Sequence, residues 1–126
     1  MSWRETVLAE YGRSLGFNTL AFNANGVANL RFERRGELFL ERTDTGLLAY
    51  VVRPLSHPDA ALFRQVLAAC HWDHNPDYPL NAALEGGQNL VFSIALPEAD
   101  LDVPTLTLAL ESLDRLHHFV EEGVDR

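Results

Sequence analysis

Residues 28–53 read ANLRFERRGELFLERTDTGLLAYVVR, and the spacing of apolar side chains in this stretch decides the fold class. Apolar and polar residues alternate with the period of two that half-buried strands show. Two turn signals containing glycine interrupt the alternation. The stretch therefore predicts three successive antiparallel strands, over about residues 28–32, 37–41 and 47–53.

The third of these strands differs from the other two because it is apolar on both sides. Leu47, Ala49 and Val51 lie on one side, and Leu48, Tyr50 and Val52 lie on the other. Strands that are apolar on both sides are typical of sheets with both faces covered. We therefore expect both faces of the third strand to be buried.

Three helices are predicted around these strands. The first spans about residues 3–15, because a serine three residues before a glutamate forms a capping box ahead of an apolar stripe. The second follows the start signal Ser56-His57-Pro58-Asp59 and ends near Cys70. The third is capped by Asp102 and carries an apolar stripe over 106–120.

A second hairpin is predicted between the second and third helices. Residues 80–84 and 90–96 are strand-like, and Gly86-Gly87 joins them, whereas the proline-containing stretch 71–79 is typical of a loop. The element order α-β-β-β-α-β-β-α indicates an α+β fold. We expect one twisted antiparallel sheet with packed helices, forming a single domain over residues 1–126.

The charge balance excludes several functions. The chain carries 10 basic and 18 acidic side chains, a net charge of -8, and every basic residue is an arginine. An acidic chain is a poor nucleic-acid binder, and a P-loop requires a lysine. The apolar runs are too short to span a membrane, the start lacks the apolar stretch of a signal peptide, and a single cysteine agrees with a reducing compartment. We expect a cytoplasmic protein.

Two clusters of titratable residues resemble functional sites. Cys70-His71-Trp72-Asp73-His74 contains zinc ligand types, but the chain has no second cysteine, so Cys70, His71 and His74 are predicted to bind no metal. His117-His118 on the last helix is predicted to place one ring against the apolar stripe and the other in solvent. No serine lies in a nucleophile elbow, so neither catalytic residues nor cofactors are expected.

Several short motifs, in their order along the chain, resemble a known family. They are Met1-Ser2-Trp3, Leu15-Gly16, Gly36-Glu37-Leu38-Phe39-Leu40-Glu41 and the helix from Leu106 to Glu121. With the element order and the acidity, they are similar to the class I type III secretion chaperones of the CesT and SycE fold family, closest to the SycN branch. The resemblance covers the whole chain.

This resemblance implies a non-enzymatic chaperone in the bacterial cytoplasm that uses no nucleotide. It implies a dimer, formed either with a second small chaperone of the YscB kind or with a second copy of this chain. It also implies a client, namely the N-terminal region of a secreted protein similar to the gatekeeper YopN. The chaperone would keep this client ready for export.

Candidate contact residues follow from the resemblance and from surplus apolar side chains, since a domain of this size cannot bury them all alone. We expect a partly exposed client-binding set near the first helix and first hairpin, with a free strand edge. This set contains Trp3, Tyr11, Phe22 and Phe39. The dimer interface is expected on the second helix and following strand, at Leu62, Phe63, Val66, Leu67, Trp72, Tyr78 and Leu80.

Two other functions are compatible with the sequence. One is a regulatory adaptor that titrates a secretion-system protein, and the other is a small α+β ligand-binding enzyme. An enzyme requires an enclosed pocket with converging polar groups, whereas a chaperone requires open apolar surface. The adaptor and the chaperone are distinguished only by the identity of the bound protein.

Overall fold

The computed structural model describes residues 3–16, 20–32, 36–55, 60–72, 78, 80–86 and 88–124, with the side chains of all of these except 3, 69–72 and 122–124. The α+β class and the predicted element order are confirmed. The elements are α1 (Trp3–Ser14), β1 (Val27–Phe32), β2 (Gly36–Arg42), β3 (Gly46–Pro54), α2 (Ala60–Trp72), β4 (Leu80–Glu85), β5 (Asn89–Pro97), a short 3-10 helix (Glu98–Asp100) and α3 (Val103–Val124).

The five strands form one antiparallel sheet in the order β1-β2-β3-β5-β4. The meander β1-β2-β3 and the hairpin β4-β5 are joined where β3 pairs with β5, from Gly46 opposite Pro97 to Pro54 opposite Asn89. Strands β1 and β4 are therefore the two edges of the sheet.

The three helices pack on one face of the sheet. Helix α3 contacts the central strands β3 and β5, while α1 and α2 both contact α3, and α2 also contacts β4. The apolar stripes of the helices and alternate residues of the strands form the core between them. The most completely buried large apolar side chains are Leu8, Tyr11, Leu38, Leu90, Phe92, Leu96, Leu113 and Val120.

The prediction that both faces of β3 are buried is wrong. Leu47, Ala49 and Val51 lie in the core, but Leu48, Tyr50 and Val52 on the opposite side are only half-buried. The reason is that all three described helices lie on the same side of the sheet. The apolar residues on the second side thus need another explanation.

A polar cluster at the border of the core links β3 to α3. Arg53, at the end of β3, is 7% exposed and forms ion pairs with Asp114 and Glu121. Nε2 of His117 lies 2.8 Å from the carbonyl oxygen of Val51. Burial is the main cause that lowers the pKa of His117 from 6.5 to about 4. The ion pairs of Arg53 and the hydrogen bond of His117 thus attach α3, the longest helix, to the central strand β3.

The helix ends agree closely with the sequence signals. The side-chain oxygen Oδ1 of Asp102 accepts a hydrogen bond of 2.8 Å from the backbone N–H of Thr105, which is the predicted cap of α3. Gly16, after α1, adopts a φ of 89°, as a left-handed cap requires. Helix α2 runs to Trp72, two residues past the predicted end. The start signals of α1 and α2 lie at residues outside the description.

Candidate protein-binding surfaces

The sheet has a face without a helix in the described part of the chain, which we call the open face. Strand register brings side chains from all five strands together there, with Phe39 opposite Tyr50 and Tyr50 opposite Ser93. Its centre is apolar and half-buried, whereas core residues on the other face are buried. The apolar side chains at this centre are Phe39, Leu48, Tyr50, Val52, Val91 and Ala95.

Two aromatic rings form the middle of the open face. The rings of Phe39 and Tyr50 are stacked, with their centroids 5.0 Å apart and their planes inclined by 12°. Cross-strand aromatic pairs stabilise the pairing of neighbouring strands, and stacking brings the faces of the two rings into contact. Phe39, one of the predicted client-binding residues, is half-buried on the open face.

Two carboxylates lie on the open face, on either side of the row of the sheet that contains this aromatic pair. Glu41 stands on β2 opposite Leu48, and Glu85 ends the edge strand β4. The pKa of Tyr50 is raised, first by burial and then by the negative charges of Glu41 and Glu85. The negative charges of both carboxylates therefore disfavour ionisation of the tyrosine hydroxyl.

A third acid on the open face, Glu37, already has polar partners. Its Oε1 accepts a hydrogen bond of 2.8 Å from Nδ2 of Asn29, and Nη2 of Arg31 lies 3.7 Å from the same oxygen. These residues border an open groove of about 420 Å³ at the end of the sheet. The groove is shallow and has one side in solvent. It is lined by Arg31, Phe32, Gly36, Glu37, Phe39, Val52, Pro54, Glu85 and Asn89.

The structure does not bring the four predicted client-binding residues together. Tyr11 is 1% exposed and lies in the core, so the expected partial exposure does not hold for it. The reason is that the stripe of α1 that contains Tyr11 faces α3 and the common core. Phe22 is half-buried beneath the guanidinium of Arg42, whose carbon lies 5.0 Å from the ring centroid. Phe39 lies on the opposite side of the sheet, and the side chain of Trp3 is outside the description.

A second apolar surface lies between α2 and β4, and we call it the α2–β4 groove. Phe63 is 44% exposed, Leu67 is 71% exposed and Leu84 is 37% exposed. The groove has a volume of about 340 Å³, with almost entirely apolar walls. Exposed apolar patches of this kind typically mark protein contacts. Its lining residues are Phe63, Val66, Leu67, Ala82, Ala83, Leu84 and Leu90.

The predicted dimer-interface residues divide between this groove and the core. Leu62 and Val66 are 2% and 9% exposed, because they point from α2 toward the core, whereas Phe63 and Leu67 are one position further around the helix and face outward. Tyr78 and Leu80 are half-buried against the core, and the side chain of Trp72 is not described.

Sequence reasoning placed the strand after the second helix in the interface but named only Leu80 from it, and missed Ala82 and Leu84. Ala82 and Leu84 point to the same side of the sheet as Leu80, the side that carries the helices, yet they remain exposed because α2 covers the edge strand only in part. The period of two from Leu80 to Leu84 was the available signal.

The described side chains contain no group of three or more histidine, cysteine, aspartate or glutamate residues placed to hold a metal ion. The side chains of Cys70 and His71, and all of His74, lie outside the description, so their predicted lack of metal binding stays a prediction. Among the described residues, no helix combines the length and apolarity needed to cross a lipid bilayer.

Several solved protein complexes contain a chain with the same fold. A chain of the HopA1–SchA chaperone–effector complex aligns with a TM-score of 0.69 and 23% identity over 92% of this chain and 91% of that chain. A chain of the Yersinia pestis chaperone SycH in complex with a stable YscM2 fragment gives 0.69 and 17% over 97% and 98%. A chain of the ExsC–ExsE complex gives 0.71 and 18% over 93% and 90%.

A family model extends this likeness from fold to sequence. No curated protein matches the sequence as a whole. The model of the family described as type III secretory system chaperone SycN, however, matches residues 3–121. This range contains every described element except the last residues of α3. The chain therefore belongs to the SycN family of type III secretory system chaperones, a family of binding proteins and not of enzymes.

Proposed function

We propose that this chain is a cytoplasmic bacterial chaperone that binds the N-terminal region of a secreted protein on its open face and keeps that region ready for export. The observation that supports the proposal is the half-buried apolar centre of the open face, which no described helix covers. An enzyme would instead be expected to enclose its substrate among converging polar groups.

The edge of the sheet next to the open face suits an extended client. Strand β1 pairs only with β2, so its other edge offers unpaired backbone groups among the described strands. A client segment that adds to this edge would gain backbone hydrogen bonds, while alternate side chains would contact the sheet. Many shallow contacts of this kind allow release without nucleotide hydrolysis.

The client that we propose is the N-terminal region of a gatekeeper similar to YopN. This finer identification rests on the likeness to the SycN branch. Affinity purification from the native bacterium, followed by identification of the co-purifying proteins, tests it. Recovery of a different secreted protein would refute the gatekeeper, and recovery of no secreted protein would refute the client-binding role.

The binding surface can be tested with the client segment so identified. Phe39→Ala is expected to weaken binding about tenfold, since aromatic side chains at the centre of an interface commonly contribute most of its energy. Phe119→Ala is the matched control, because Phe119 is 38% exposed on α3, across the sheet from the open face. Equal binding by wild type and Phe39→Ala, with both folded, would place the client surface elsewhere.

We also propose that the α2–β4 groove forms the dimer interface, either with a YscB-like chaperone or with a second copy. Leu67 is the most exposed large apolar side chain of the groove. Leu67→Arg is expected to convert a dimer into monomers in light scattering, because it places an unpaired charge in an apolar contact. Leu108→Arg is the control, since Leu108 is similarly exposed, at 65%, but lies on α3 outside the groove.

A wild-type monomer at all accessible concentrations, both alone and mixed with a YscB-like partner, would refute the dimer. Dissociation by Leu108→Arg and not by Leu67→Arg would place the interface on α3 instead. The open face and the α2–β4 groove lie on opposite sides of the sheet, so each variant tests one surface.

A further inference from the structure

We propose that the open face recognises an arginine side chain of the client, seated on the Phe39–Tyr50 pair between the carboxylates of Glu41 and Glu85. The inference rests on the proposed function and adds the chemistry of the partner. It predicts a client segment in which an arginine lies among apolar residues.

The position of the two acids is the first part of the argument. Glu41 projects from β2, on one side of Tyr50, and Glu85 projects from β4, beyond β5 on the other side. Along β3, Glu41 stands level with Leu48, before Tyr50, and Glu85 stands level with Pro54, after it, and both charges add to the effect of burial in raising the pKa of Tyr50. The aromatic centre therefore lies in a negative field from two directions.

The second part is that these carboxylates have no cation of their own among the described residues. Glu37 is engaged by Asn29 and Arg31, and the other ion pairs of the described chain lie on or near the helices. Glu41 and Glu85 are in none of them. A partner that brings a positive charge would gain attraction without breaking an existing pair.

Arginine fits this surface better than the alternatives. Its guanidinium is planar, so it can stack on an aromatic face and also pair with a carboxylate through two hydrogen bonds. Its aliphatic stem can lie on apolar surface, which Val52 and Val91 provide beside the rings. A second copy of this chain, with a net charge of -8, would bring mainly like charge to the same surface.

The test uses the full chain, isotope-labelled for NMR, and a capped Leu-Arg-Leu peptide at low ionic strength. We expect saturable shifts at the backbone amides of Phe39 and Tyr50. The double variant Glu41→Gln with Glu85→Gln is expected to weaken peptide binding about tenfold, because each exposed charge pair contributes a modest free energy. About 1 M salt is expected to weaken binding by a similar factor, because it screens the same charges. The peptide with citrulline in place of arginine has nearly the same shape without the charge, and is expected to bind correspondingly weakly.

A second pair of substitutions controls for net charge. Glu10→Gln with Glu111→Gln removes the same charge from exposed positions on α1 and α3. Equal weakening by both pairs, equal binding of the citrulline peptide, or peptide shifts confined to other surfaces would each overturn the proposal. Shifts at Phe39 and Tyr50 that change on dilution without peptide would show that a second copy covers the face, which also overturns it.

The outcome for arginine can be separated from the outcome for the client. If Phe39→Ala weakens the native client segment but the two glutamine substitutions do not, the chaperone function stands and the arginine inference fails. If the glutamine substitutions weaken both the peptide and the client segment, both are supported. If Leu-Arg-Leu binds as proposed but no secreted protein is recovered, the arginine site stands without the chaperone function.

Discussion

Lowering the pH from 7 toward 4 is expected to destabilise the folded chain through His117. This ring is 1% exposed, contacts the Phe92 ring edge-on, and lies against the Val51 carbonyl oxygen. Because a carbonyl oxygen can only accept, Nε2 carries the proton of the neutral ring, and acid would add a second proton at Nδ1. The nearby Arg53 opposes that second charge and Asp114 favours it, but burial has the largest effect.

The magnitude follows from the pKa of His117, which lies at about 4 in the folded chain against 6.5 ordinarily. Below about pH 6.5 the unfolded chain binds a proton at this histidine that the folded chain does not. The free energy of unfolding therefore decreases as the pH is lowered, until the ring in the folded chain is also protonated near pH 4. A tenfold change in proton affinity corresponds to about 1.4 kcal/mol. The loss is therefore about 1 kcal/mol by about pH 5.5 and about 3 kcal/mol by pH 4.

The assay is urea unfolding followed by circular dichroism, at a fixed protein concentration, for wild type and His117→Gln. Glutamine retains an N–H donor for the Val51 carbonyl but does not titrate. Other groups contribute equally to both proteins, so the difference in unfolding free energy isolates His117. The wild type is expected to lose about 1 kcal/mol relative to the variant between pH 7 and about pH 5.5. A difference that stays constant over this range would refute the buried neutral ring.

Three further stability predictions use the same urea assay at pH 7. Gly36→Ala is expected to cost about 3 kcal/mol, because a Cβ would clash with a backbone carbonyl of β3 at a φ of 87°, whereas Gly16→Ala, with φ 89° and nothing nearby, should cost only about 1 kcal/mol. Similar losses at both glycines would contradict the clash. Arg53→Met is expected to cost about 1 kcal/mol, since it removes the ion pairs with Asp114 and Glu121, whose side chains are 33% and 55% exposed and stay hydrated without it; a loss of about 3 kcal/mol would show that the pairs act as buried ones. Leu113→Ala, fully buried, should cost about 3 kcal/mol, against less than about 0.5 kcal/mol for the exposed Leu108→Ala.

Local patterns predicted most of the elements. The alternation in 28–53, the glycine turns and the Asp102 cap are short-range signals, and the strands and helices begin and end within a few residues of the predicted positions. The single buried ring in His117-His118 was also anticipated, because the apolar stripe of α3 passes under one histidine and not the other.

The arrangement of these elements was less accessible from the sequence. The pairing of β3 with β5 joins segments on either side of α2, and no local pattern indicates it. Strand β3 has apolar side chains on both sides. This pattern is expected when helices of the same chain cover both faces of the sheet, and equally when a partner protein covers one of them. The choice depends on the side on which the helices pack, which is a tertiary property. For the same reason, Tyr11 could not be assigned to the core, nor Arg53 to ion pairs with α3.

The pairing of β3 with β5 also constrains how the chain folds. The strand pairs of the meander and of the β4-β5 hairpin join residues that are close along the chain. The β3–β5 pair, in contrast, joins distant residues such as Gly46 and Pro97, and the sheet is complete only after it forms. Loop closure over such a distance is entropically costly and slows folding. During synthesis, β3 would keep an unpaired edge until β5 emerges from the ribosome. At that stage the meander would have two open edges, those of β1 and β3, and β3 would be prone to pair with another chain.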